Sequence, residues 1–386
     1  MIISLMPIQF CTIVFGLLLS FPAWAQPADD GLLNIRMDRS ALYVAEVVSV
    51  LEEEKAPFEG IGRTVQSVTV RITSGLKKGN EFVIENTVLE NRPDMMLRKG
   101  EKVVVEAWET LDGGTEYYLR EKYRLPSLVW LAIVFLLLAA AFGGRMGLQS
   151  AAGLFVSVAI LALFVVPSII AGWNPLLISL AGSFIIAPTS LYLAHGFHSR
   201  TTIALISTMI TLLIAAVLAI IFVYASKLFG LGSEEAMYLQ MGPTAGINLR
   251  GLLLGGVIIG TLGILDDITT AQTAVVDELH HANATLGFRG LYRAGTSVGR
   301  EHIASLVNSL ALAYVGASLP LLLLFSTNRQ LPVWVIINGE FIAEEIVRTL
   351  VGSSTLLFAV PISTVLAAWL IPKMKKGSRR RMHHHH

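Results

Sequence analysis

The sequence predicts an α-helical polytopic membrane bundle of about seven transmembrane helices, preceded by a small extracytoplasmic β-barrel-like, OB-like domain. Three observations predict it. Of 386 residues, 54% are hydrophobic and 15% charged, against about 25% charged in a typical globular chain. The charge is unevenly placed: residues 1–125 hold 32 of the 57 Asp, Glu, Lys and Arg, and residues 126–372 hold 19. Uncharged runs of about twenty residues, enough to cross a hydrocarbon core of roughly 30 Å, recur through the second part.

Composition also excludes. A net charge of +1 without a basic stripe gives no footprint for nucleic acid. The one cysteine, Cys11, lies in the N-terminal apolar segment, which leaves the rest of the chain no disulfide and no thiolate metal site. His383 to His386 are read as an expression tag, so the histidines that count are His195, His198, His280, His281 and His302.

Residues 8–21 are apolar, and Ala23-Trp24-Ala25 has the small-x-small pattern of a signal peptidase site, with cleavage expected after Ala25. No Lys or Arg precedes the apolar core, so residues 1–25 are either a cleaved signal or an uncleaved anchor. Residues 26–125 read as a β domain. Val68, Val70 and Ile72 alternate with Thr69, Arg71 and Thr73, the period of a half-buried strand. Further strands are expected at Leu42–Val50, Glu81–Val88, Lys102–Trp108 and Thr115–Arg120. Five short strands in about a hundred residues suggest a small OB-like barrel, with the role of a folded cap or assembly module.

The membrane domain is expected over 126–372. Leu125–Gly144 is the first span, and residues 146–199 form a hairpin broken at Gly172-Trp-Asn-Pro175. Residues 201–226, 251–272, 302–325 and 349–372 supply the remaining four. Residues 373–386 are a basic tail ending in the tag. With the β domain outside, Arg145, Arg200, Arg289, Arg293, Arg300 and the six basic residues of the tail fall in the cytoplasm, and Lys227, Arg250, Arg329 and Arg348 fall outside. Eleven against four obeys the positive-inside rule and places the chain in a bacterial cytoplasmic membrane.

The fifth span carries Gly251/Gly255 and Gly256/Gly260, small-xxx-small pairs that let helices approach closely, and then Asp266 and Asp267. An Asp in a span costs at least about 2.5 kcal/mol on insertion scales, which makes it a functional candidate. Adjacent helical residues point about 100° apart, so the two are expected to have different partners. The alternative places both at the helix end, solvated. Asp277/His280 and Glu278/His281 stand at i, i+3 in the connector 277–302, as do His195 and His198 elsewhere; solvated loop groups are the expectation there, not a metal site. Glu340, Glu344 and Arg348 share a face at i, i+4, i+8, an order that favours ion pairing. They either line a pathway or brace the helix.

The run Leu262-Gly-Ile-Leu-Asp-Asp-Ile268 with Gln272, then Val298-Gly-Arg300-Glu-His-Ile303 with Asn308, then Leu310 to Pro320, and finally Glu340, Glu344 and Arg348-Thr-Leu-Val-Gly352 with Pro361, resembles the YibE/F-like bacterial membrane proteins. His195-Gly-Phe197 also fits. The resemblance covers the membrane domain and, more loosely, the barrel, and implies a multipass protein without implying a mechanism. At the level of fold alone, an Asp pair on a glycine-rich helix is also similar to the proton-relay core of resistance-nodulation-division transporters.

The expected function is an ion-coupled permease or translocation accessory, with Asp266 or Asp267 as proton carrier and Gln272, Arg300, Asn308, Glu340, Glu344 and Arg348 along the pathway. The alternative is an envelope assembly or scaffold protein whose β domain recruits a partner. Aspartyl intramembrane proteases need carboxylates facing each other from separate helices, and no nucleophile motif is present, so no enzyme, cofactor or catalytic residue is expected. The expected partners are the lipid bilayer, a small solute or ion, an extracytoplasmic protein and a second copy of the chain.

Overall fold

The structure is a computed structural model that describes residues 41–58, 61–75, 77–89, 92–110, 114–241, 244, 246–327 and 332–382. The leader with its Ala25 site, Arg329 and the tag lie outside the described residues. Contacts divide the chain into two compact units, one ending at Leu138 and the other continuing from Ala139.

In the first unit, strands β1 (Ala41–Phe58), β2 (Ile61–Ile72), β3 (Glu81–Leu89), β4 (Lys102–Glu109) and β5 (Thr115–Lys122) form one antiparallel sheet in the order β3-β2-β1-β4-β5. The two outer strands then meet, because Phe82 of β3 stacks on Tyr117 of β5 with ring centroids 3.8 Å apart. The result is a nearly closed barrel. Strand β1 is twice the length its alternation suggests, since Ala41–Glu46 pairs with β4 while Ala45–Phe58 pairs with β2. Register shifts at Val47/Ser49 and Val50/Glu52 bend it between the two partners. The period-2 reading of β2 holds: Val68, Val70 and Ile72 are at most 1% exposed, and Val68 and Val70 pack with Ala45, Val47, Ile84, Val103 and Val105. Thr64, Gln66 and Asn86 are the buried polar side chains of the barrel among the described residues. Gln66 accepts from Leu97 N at 2.8 Å and from Asn86 Nδ2 at 3.1 Å, tying β2 and β3 to the segment before β4.

From Leu125 onward the described chain is helical, the first helix beginning within the first unit. Helix α1 runs Leu125–Ile170 with a π-helical turn at Leu161–Val165. At about 1.5 Å per residue, its 46 residues would extend to about 69 Å, over twice the hydrocarbon thickness. Gly144 breaks it. That residue sits at φ 54°, ψ −138°, a conformation open to glycine and strained for a residue with a Cβ. Helices α2 (Pro175–His195), α3 (Ser199–Ala225), α4 (Glu234–Met241) and α5 (Leu249–Ala282) follow, then α6 (Phe288–Ala317), α7 (Leu319–Thr327), α8 (Val333–Asn338) and α9 (Glu340–Met382). Among the described residues, α1, α2, α3, α5 and α9 are long and apolar enough to cross a membrane. The chain is a multipass membrane protein whose apolar helices contact lipid.

The sixth expected span, 302–325, is not a single helix. It falls on the second half of α6 and on α7, parted at Ser318. Pro320 explains the break, since its ring clashes with the carbonyl four residues back and it has no N–H to continue the ladder. The connector expected at 277–302 is helical at both ends, with only residues 283–287 outside α5 and α6.

Helix α5 packs against α2, α3, α6 and α9. Its glycines divide by face. A Cβ on Gly255 would overlap Ser179 Oγ of α2 and come within 3.3 Å of the Pro175 carbonyl, whereas Gly256, Gly260 and Gly263 have nothing within 4 Å. Gly255→Val should therefore destabilise the bundle by at least about 1–3 kcal/mol through overpacking. Gly256→Val should leave abundance and detergent melting temperature within error of wild type. Equal effects at the two positions would contradict this packing.

Candidate functional site

Two polar regions occur at opposite ends of the bundle. One lies where α2 turns into α3. Gly196 at φ 76° ends α2, and Tyr192 stacks on Phe197 at 4.4 Å and hydrogen-bonds Thr202 Oγ1 at 3.0 Å. This tight turn fixes His195 at the end of one helix and Arg200 at the start of the next. Helix α5 passes beside them. Met146, His195, Arg200, Thr201, Asp267 and Thr270 line a cleft of about 330 Å³. It adjoins a second, of about 470 Å³, that shares Met146, His195 and Arg200 and adds His198, Asp277 and Ile371.

The two aspartates part as their angular separation requires. Asp267 is exposed to the cleft, near enough to His195 for the two charges to interact. Asp266 turns toward α2, where Ser190 is within hydrogen-bonding reach of its carboxyl. Its Oδ1 is buried and has no hydrogen-bond partner among the described residues. Both lie in the middle of a 34-residue helix, so neither caps a helix end.

The other polar region surrounds the start of α9. Glu340 Oε1 accepts from three successive backbone amides, Phe229 at 2.5 Å, Gly230 at 2.9 Å and Leu231 at 3.2 Å, and Glu344 Oε1 accepts from Gly232 at 2.8 Å. Successive N–H groups of this kind form an anion-binding concavity, and here the chain fills it with its own carboxylates. Gly230 at φ 84° and Lys227 at φ 54° give the loop its curvature. Arg250 clamps it from α5, donating from Nε to the Leu228 carbonyl at 2.7 Å while lying over Tyr224 and Phe229 at 4.8 and 4.9 Å. Arg348 pairs with Glu345 at 3.2 Å, three residues away, and not with Glu344.

Gln272 is sealed inside. At 2% exposure it donates from Nε2 to the Gly295 carbonyl and to Thr364 Oγ1, both at 2.8 Å, so that one amide ties α5 to α6 and α9. Gly299 makes room for it: a Cβ there would come 2.9 Å from Gln272 Oε1. Arg300 and Asn308 lie on exposed positions of α6. The structure thus brings together Asp266, Asp267 and His195, and separately Glu340 and Glu344 with their loop. It does not join the two sets. Asp277 and His281 approach to 3.8 Å, and among the described residues no three His, Cys, Asp or Glu side chains are placed so that they could hold a metal ion.

Residues 131–373 match the family described as YibE/F-like protein. The chain belongs to that family. The match takes in every candidate residue of this YibE/F-like protein and leaves the barrel outside it. No curated protein and no solved structure matches the chain.

In this YibE/F-like protein, reading the sequence passes over Ser190, Arg200 and the Phe229–Gly232 loop as functional positions. Small hydroxyls and loop amides carry no compositional signal, because only the fold shows what they face. Lys227-Leu-Phe-Gly-Leu-Gly232 did offer a trace, two glycines in a short connection between apolar helices, which is a turn signal.

Proposed function

We propose that this protein is a proton-coupled permease or translocation accessory of the bacterial cytoplasmic membrane, with Asp266 as proton carrier and Asp267, His195 and Arg200 lining its access to the cytoplasm. The observation that supports it is the buried, unpartnered Oδ1 of Asp266 beside a cleft lined by Asp267. An unpaired charge inside a bundle is costly, and binding a proton removes it. The cleft supplies the route by which that proton leaves.

The eleven-to-four distribution of Lys and Arg supports an orientation with the barrel outside and the C-terminus in the cytoplasm. Seven crossings follow if the halves of α1 on either side of Gly144 each span and the second half of α6 combines with α7. A barrel of five strands whose first strand pairs on both sides fits the OB-like reading, and an extracytoplasmic protein or the translocated solute is its partner. The open glycine face of α5 suits contact with a second copy. The function is non-enzymatic.

Difference infrared spectroscopy of the reconstituted protein tests the carrier. A carboxyl band should appear on acidification and vanish in Asp266→Asn. If the wild type and Asp266→Asn give the same spectrum, Asp266 carries no proton.

The scaffold alternative draws on a different observation. Glu340, Glu344 and Gln272 are all engaged in holding helices and a loop, as a packed anchor requires. It predicts that both Asp→Asn variants retain full activity.

A further inference from the structure

The proton-carrier reading leaves open how a proton reaches Asp266 from the outside, and the α2–α5 interface supplies an answer. The two helices run side by side in the same direction. Pro175 meets Gly251, Ser179 meets Gly255, and eleven residues on in both helices Ser190 meets Asp266. Ser179, Ser183 and Ser190, at i, i+4 and i+11, therefore share the face of α2 that α5 covers. Helix α1 covers the same seam from a second side: a Cβ on Gly153 would lie 3.5 Å from Ser190 Oγ, and Val165 packs onto Gly182.

Two polar atoms in this seam have no hydrogen-bond partner among the described residues, Asp266 Oδ1 and Ser183 Oγ. Ser183 is fully buried. Most serines and threonines inside these helices return their hydroxyl to their own backbone, as Ser207, Thr211, Thr355 and Ser363 do at 2.7–2.8 Å. Ser183 and, on α6, Thr296 do not, and Ser183 lies beside an α2 backbone that is itself short of donors, because Pro188 has no N–H to offer the Phe184 carbonyl. Buried groups left unpaired in this way are the sites where proteins hold ordered water.

The geometry points to a file of ordered water in the α2–α5 seam, running from Ser183 to Asp266, as the route by which the coupling proton enters from outside. This rests on Asp266 being the carrier. Ser183 and Ser190 are seven residues apart, about 10 Å along the helix, which two or three waters bridge at about 2.8 Å per hydrogen bond. In each transfer, a water O–H breaks as an O–H forms on Asp266 Oδ1, and the water regains a proton from its neighbour nearer Ser183, so no charge accumulates along the file. The carboxyl then releases its proton toward the cleft at Asp267.

The test uses the fact that the chain has a single cysteine, Cys11. In a full-length Cys11→Ser background, Ser183→Cys, Ser190→Cys and the comparator Ser363→Cys, whose hydroxyl is equally buried but bonded to its own helix, are exposed to silver ion in proteoliposomes. The free thiol that remains is counted after denaturation. Ser183→Cys and Ser190→Cys should lose their thiols at least tenfold faster than Ser363→Cys, and a rate for Ser183→Cys equal to that of the comparator overturns the proposal. Should Ser183→Cys fail to accumulate, Ser183→Ala decides: deuteration of the Asp266 carboxyl band should slow at least tenfold, and an unchanged rate refutes the file. A wild-type spectrum without any Asp266 band would sink the carrier reading by itself, while the silver comparison would still determine whether the seam holds water.

Discussion

Asp266→Asn combined with Asp267→Asn is expected to reduce complementation of a deletion strain to the level of empty vector, with membrane abundance unchanged. Asparagine keeps the shape of aspartate and its capacity to accept from Ser190, so packing survives while proton exchange does not. Asp266→Asn alone should give most of the loss, because its Oδ1 is the buried, unpartnered atom. Asp267→Asn should give a partial loss, since Asp267 faces an open cleft where water can substitute for it. Asp277→Asn is the control, being about three turns further along α5 and paired there with His281, and should complement fully. Full activity of all three variants would eliminate the carrier and leave the scaffold reading. A fall in abundance would show that the carboxylates hold the bundle together, most simply through His195 and Arg200.

Glu340→Ala combined with Glu344→Ala is expected to destabilise the protein by about 3 kcal/mol. The change removes four hydrogen bonds from backbone amides to carboxylates, each worth about 1.5–3 kcal/mol when sheltered. The total is smaller than their sum because Phe229 is exposed and water can satisfy its amide. Glu344 should dominate, since it is 6% exposed and accepts from Gly232 where water has little access. The Gln variants keep an acceptor oxygen and should recover more than half of the loss. Thermal unfolding in detergent measures the effect, and proteolysis within 227–233 should accelerate in parallel. Wild-type stability in the double alanine variant would show that the loop does not depend on α9.

These two predictions treat acidic groups that look alike in the sequence as different objects. Asp266, Asp267, Glu340 and Glu344 were all legible as candidates for one pathway, because any carboxylate in an apolar segment stands out by its insertion cost. Their division into a cleft and a loop clasp was not legible. Glu340 gives no local sign that the amides of Phe229 to Leu231, more than a hundred residues away, converge on it. Gln272 shows the same limit, since its partners Gly295 and Thr364 lie on two other helices.

What the sequence by itself determined is what depends on local free energies. Transfer of side chains to lipid fixes which segments are apolar enough to span, and period-2 alternation fixes β2 to β5 to within a few residues, while β1 runs on to Phe58, eight residues past the expected Val50. Belonging to the family follows from the same local runs. What only the tertiary structure decided is what depends on facing groups: the break of α1 at Gly144, the division of labour between Gly255 and Gly256, and the turning of Asp266 toward α2 while Asp267 turns to the cleft. Adjacent residues on a helix have nearly the same sequence context and directions about 100° apart, so their fates separate only when neighbouring helices are in place.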